Sequence, residues 1–142
     1  YVDLACPDGH IRQSVKGVTT DKACGVFQGK FHVRRPAQHT DARMRHDCMM
    51  LSDTSEIRSK PELEIYAEDV KCAHGVTVGQ LDENALFYLQ TRGLARDEAA
   101  QLLTRSFANS ILDEISVDAV RTYIEAAVDS KLDRLIRGTR DE

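Results

Sequence analysis

Residues Lys60 to Asp82 read KPELEIYAEDVKCAHGVTVGQLD, and the rest of the chain is organised around them. Leu63, Ile65 and Ala67 alternate with Glu62, Glu64 and Tyr66. A period of two argues a strand with one buried face, not a helix. Cys72 and His74 follow two residues apart. On a strand, side chains at i and i+2 leave the same face, their backbone origins roughly 6.5–7 Å apart. A thiol and an imidazole therefore face one space, and that donor pair suits zinc, copper or an iron–sulfur cluster. The bland alternative is a core cysteine beside a histidine that only hydrogen-bonds. Spacing leaves both open.

The pattern changes just after this stretch. All four cysteines, all five histidines and all three prolines precede residue 82, and the net charge of −4 comes wholly from the residues after 81. Two units follow from this, residues 1–81 and residues 82–142. The chain's 142 residues can bury a core. No run reaches the ~20 apolar residues that a membrane-spanning helix needs. An acidic helical end lacks the basic stripe of a nucleic-acid binder. There is no GxxxxGK[ST] phosphate loop and no CxxC, so the thiols are read as reduced and the location as cytoplasmic. Tyr1 is not an initiator methionine, so a piece of a longer protein is expected.

Upstream, residues 1–24 read as strand and loop. Extended segments are predicted near 25–33, 42–52, 56–67 and 70–81. Gly29, inside the first of these segments, marks a bend or a close backbone approach. Cys24, Cys48 and Cys72 are spaced by 24, the kind of period a stacked solenoid coil gives, though chance explains it equally well. His46 and Cys48 repeat the i, i+2 arrangement, with Met44 and Met50 on the same parity pointing to core. A Cys–His nucleophile needs the imidazole within hydrogen-bond reach of sulfur, and two positions on a strand look too far apart for that. Arg34, Arg35, Arg43 and Arg45 read as a solvated face in preference to a phosphate site. Glu62, Glu64, Glu68 and Asp69 read as a solvated edge.

Helices are predicted after Asp82, which can cap the first with Glu83 in its first turn. Leu86, Phe87, Leu89 and Leu94 form the apolar side of that helix, and Gly93 ends it. A second helix runs over about 96–115, and a third over about 117–137 with Ser116 as its N-cap.

The segments GVFQGKFHV (25–33), TDAR (40–43), Met50–Asp53, KPELEIYAEDVKCAHG (60–75) and VGQLDENALFYLQTRGL (78–94) closely resemble the C-terminal part of the SufB/SufD family of iron–sulfur cluster assembly proteins, with a lean to the SufD-like branch. The resemblance implies a mainly β fold with added helices, in which a right-handed parallel β-helix (a β-solenoid) is followed by a small C-terminal helical domain. It implies a scaffold in the SUF system and not an enzyme. Such a subunit pairs through its β-helix with SufB or with a second copy, and it binds the ATPase SufC through its helices. His74 matches the histidine implicated at the pairing interface, and Cys72 is its neighbour in the motif. Together they would face a nascent, transient iron–sulfur cluster shared with a partner chain. The SufC contact would come from residues of about 96–137, including Leu102, Leu103, Phe107, Ile111, Val120 and Ile124. A homodimer is expected in isolation, with no cluster in the lone chain. Family members are much longer than this chain, and Cys24 and Cys48 lie outside the motif. The alternative of another class is a metal-dependent or thiol enzyme on a β-solenoid using Cys72 and His74, which requires a third ligand or a base converging on them.

Overall fold

The structure is a computed structural model that describes residues 1–138. Six strands precede the helices: β1 (Val2–Leu4), β2 (His10–Thr19), β3 (Cys24–Val33), β4 (Asp41–Met50), β5 (Glu56–Ile65) and β6 (Lys71–Gly79). Odd strands form one sheet in the order β1-β3-β5, and even strands form a second in the order β2-β4-β6. All pairings are parallel. Parallel neighbours need a long connection between them. Here that connection is the intervening strand of the other sheet.

The expected closed right-handed β-helix is not what the chain forms. The described residues make two separate three-stranded parallel sheets followed by helices, a mixed α/β architecture without a closed solenoid. The register also overturns the 24-residue period. Val2 stands beside Phe31, Cys24 beside Glu56 and Asp41 beside Lys71, so neighbours in a sheet are 29 to 32 residues apart. That interval is filled by two strands and their turns, leaving no segment for a further wall. Cys24 lies in the odd sheet, whereas Cys48 and Cys72 lie in the even one, where their partners are Val78 and Ala42. The equal cysteine spacing is a coincidence.

The core lies between the sheets. Phe31, Ala42 and Met44 form one buried cluster, flanked by Val2, Leu4, Ile11, Phe27, Leu63 and Cys72. Val33, Ala37 and Ala67 form a second, touched by Leu4, Val70 and Cys72. Burying a side chain the size of Phe31 or Met44 is worth about 1.5–3 kcal/mol. Gly29 is a close approach, as its sequence context suggested. A Cβ there would come within 2.7 Å of the Phe27 ring and 2.8 Å of Met44 Sδ.

Outside the sheets, charge is neutralised along and across strands. Arg43 pairs with Asp41 and Arg45 with Asp47. Arg34 reaches Asp3 at 2.9 Å, and this guanidinium holds the Asp3 carboxyl below its usual range. Three of the four arginines weighed for phosphate are thus engaged with carboxylates.

Helices α1 (Glu83–Thr91), α2 (Arg96–Asn109) and α3 (Asp118–Gly138) follow, with a short 3-10 turn at Leu112–Glu114. Asp82 caps α1 by accepting the Asn84 N–H at 2.9 Å. Gly93, with φ +96°, supplies the left-handed residue after α1. α3 begins one residue later than its cap suggested, because Val117 O accepts the Arg121 N–H. Leu86 is buried but Phe87 is exposed, so α1 presents a narrower apolar side than its sequence indicates. Arg105 of α2 binds Asp129 and Asp133 of α3. No helix is long and apolar enough, among the described residues, to cross a membrane.

Candidate functional site

β6 is the edge strand of the even sheet, and its register decides what Cys72 and His74 face. Cys72, His74, Val76 and Val78 stand beside Ala42, Met44, His46 and Cys48 of β4. Those four β4 residues are all buried on the inner face. In-register parallel strands keep the same parity, so the four β6 residues are directed to that inner side too. Only Cys72 finds cover there, packing on both core clusters. His74 is exposed, while Val76 and Val78 are 40% and 44% exposed. The other sheet ends at β5, whose Ile65 is likewise exposed. The inner face of the last strand therefore opens to solvent.

The two members of the motif differ electrostatically. Burial pushes the Cys72 thiol up, a backbone hydrogen bond with Ala42 opposes this, and the Asp41 charge adds to the rise. A thiol is a poor metal ligand until it loses its proton. His74 is the accessible donor and Cys72 a half-covered one beneath it. Among the described residues, no group of three or more His, Cys, Asp or Glu is placed to hold a metal ion. The pair offers two donors.

The second pair behaves differently from its reading. His46 Nε2 lies 3.0 Å from Cys48 Sγ, and His46 Nδ1 lies 2.8 Å from Ser59 Oγ. Two residues on one strand do touch here, because the long imidazole leans along the strand toward the next side chain on its face. The ring also packs on Phe27, with centroids 4.3 Å apart. Burial holds the His46 pKa down and the Cys48 pKa up. Both groups are therefore neutral near pH 7, a thiol and an imidazole joined by a hydrogen bond inside the core. That is the opposite of the thiolate–imidazolium state of an activated cysteine.

The acidic residues of β5 are engaged. Glu64 binds both Lys30 and His32, whose hydrogen bonds, Lys30 first, lower its pKa. Glu62 pairs with Lys60. On the helices, Leu102 and Val120 are exposed, whereas Leu103, Phe107, Ile111 and Ile124 are half-buried. Phe87, Tyr88, Val117 and Tyr123 are also exposed. Sequence reading had not singled out Tyr88 or Tyr123, because aromatics at helical spacing are ordinarily core.

The family described as SUF system FeS cluster assembly, SufBD core domain, matches residues 1–107. The chain is 35% identical over 121 residues to the iron–sulfur cluster assembly protein SufD of Escherichia coli, covering 85% of this chain and 29% of that protein. It is 38% identical over 127 residues to an iron–sulfur cluster assembly SufBD family protein of Synechocystis, covering 89% of this chain and 28% of the other. With SufD of Bacillus subtilis the identity is 28% over 116 residues, 82% of this chain and 26% of that protein. The chain thus spans under a third of the length of these relatives. The matched residues contain the whole of both sheets, α1 and most of α2, and on that ground the chain belongs to the SufBD family of the SUF iron–sulfur cluster assembly system.

Proposed function

We propose that this chain acts as a non-catalytic, SufD-like scaffold in SUF iron–sulfur cluster assembly and contributes half of a shared site through His74 and Cys72. The observation that carries this is the open inner face of β6. It directs an imidazole and a half-covered thiol to an edge that also exposes Val76 and Val78. Two donors are half of the four protein ligands, thiolate or imidazole, that hold a 2Fe–2S or 4Fe–4S cluster. An edge of this kind is also where another chain adds. The remaining ligands would come from SufB or from a second copy of this chain, docked along β5 and β6, and the isolated chain would form a homodimer by the same edge.

The cluster is cargo in this scheme. Docking would remove water from around Cys72 and His74, and the incoming iron would displace the thiol proton that burial now retains. The ATPase SufC would bind the helices, where Leu102 and Val120 offer exposed apolar surface and Leu103, Phe107, Ile111 and Ile124 shape the layer beneath. The assembly would work in the cytoplasm. Anaerobic co-expression with SufB and SufC tests the proposal. The wild-type complex should carry iron and sulfide, and His74→Ala should lose most of both. Unchanged cluster content in His74→Ala would refute it.

A further inference from the structure

The helices meet the strands through a polar contact that neither the family match nor the scaffold role assigns. Lys16 projects from the outer parity of β2. Its Nζ donates to Phe107 O at 2.9 Å and to Ser110 Oγ. The same ammonium sits 4.4 Å from the centroid of the Phe107 ring. Both acceptors lie at the C-terminal end of α2, where unpaired carbonyls make the negative pole of the helix dipole. The last turn of α2 contains no basic residue of its own. Lys16 supplies that cation from another layer, adding a cation–π contact to the charge–dipole term.

Along α2 the seam is partly open. A groove of about 410 Å³ lies between Thr20, Asp21, Leu51 and Ser52 on the strand side and Ala100, Gln101 and Thr104 of α2, with Leu81 and Ile136 also lining it. Units of one chain move relative to one another unless the interface between them is large and apolar. The helices are linked to one another by several side-chain bridges. Arg96 bridges to Glu83, Arg105 to Asp129 and Asp133, and Asn109 to Asp129 at 3.2 Å. At the α1 end, the segment entering the helices is tied down by Gln80, which donates to Asp53 at 2.8 Å.

We propose that Lys16 is a clasp: it holds the C-terminal end of α2 on β2, and its release lets the helices swing as one unit about their α1 end. β2 belongs to the sheet whose edge strand carries Cys72 and His74, so the clasp keys the position of the helices to that sheet. The inference stands on the Lys16 contacts and the seam, and does not depend on the scaffold role.

Residual dipolar couplings of the full chain test it, because they read orientation and not local fraying. In wild type, strand and helix amides should fit one alignment tensor. In Lys16→Met, which keeps the aliphatic stem and loses the charge, the helices should require their own tensor of smaller magnitude. Lys16→Arg should retain the common tensor. Ser110→Ala, which removes one acceptor and leaves the strands untouched, should show a partial loss and guards against a Lys16→Met chain that fails to fold. A common tensor of undiminished magnitude in Lys16→Met, or in Ser110→Ala should Lys16→Met not fold, would overturn the proposal.

Discussion

Met44 and His74 are register partners across β4 and β6, yet Met44 is 2% exposed while His74 lies open to solvent. One strand's width separates the packed core from an uncovered face of the same parity. The difference arises because the opposite sheet stops at β5, so among the described residues the inner side of β6 is left exposed beyond Cys72. That uncovered face is where the motif residues meet exposed valines.

Charging this edge should prevent pairing without harming the fold. Ile65 and Val78 are both more than two-fifths exposed, and surface substitutions of this kind change stability by about 0.5 kcal/mol or less. Ile65→Lys with Val78→Lys places cations on an edge, a device that natural sheets use against association. Light scattering should give a dimer mass for wild type and a monomer mass for the double variant, whose urea midpoint should match that of wild type diluted below its dimer dissociation constant. A monomeric wild type would refute the pairing.

The four thiols should separate by burial. Cys6 and Cys24 are exposed, Cys72 is half-buried and Cys48 is buried. Burial also raises the pKa of both covered thiols, which lowers the thiolate fraction that reacts. A disulfide reagent at pH 8 should label two thiols quickly, Cys72 slowly and Cys48 only on unfolding. Rapid labelling of Cys48 would show that its contact with His46 activates it.

Stability should fall on both sides of neutrality. The folded pKa of His46 is depressed by burial, so the unfolded chain binds more protons below about 6.5, and stability is lost as pH falls through that value. The folded pKa values of Cys48 and Cys72 are raised. Above about 8.5 the folded chain keeps protons that the unfolded chain has released, so stability is lost as pH rises. Urea midpoints from pH 5 to 10 should show both limbs. His46→Gln should flatten the acid limb near pH 6, and Cys48→Ser should weaken the alkaline one.

Gly29→Ala should cost about 1–3 kcal/mol, the range for forcing an extra methyl into a packed core. The new Cβ would meet Phe27 and Met44 at distances no real contact adopts. An unchanged urea midpoint would mean that the Phe27 ring and Met44 yield freely.

Much of this was legible in the residues. Alternation placed β4 and β5 within a few positions, because a strand buried on one face must repeat every two residues, and β-branched and aromatic residues placed β3. Asp82, Glu83 and Gly93 marked the ends of α1 through capping chemistry that is local and therefore readable. What involves partners distant in sequence was not. Register depends on which residue stands beside which across some thirty positions, and the cysteine spacing pointed to 24. The closed solenoid expected from family resemblance failed for the same reason, since strand counts and turns decide how a sheet ends. The His46–Cys48 contact was missed because backbone spacing ignores the reach and lean of an imidazole. The motif pair itself was visible from Cys72 and His74. Its half-covered setting needed the edge position of β6, which no periodicity encodes.

The central claim is that Cys72 and His74 form one half of a site. Anaerobic reconstitution with iron and sulfide, read by bound iron per chain and by visible absorption, tests it most directly. The account predicts little bound iron for the monomeric Ile65→Lys, Val78→Lys chain, cluster formation when wild type is mixed with SufB, and loss of that cluster with His74→Ala. A full cluster bound by the monomeric variant, unaffected by His74→Ala, would contradict it.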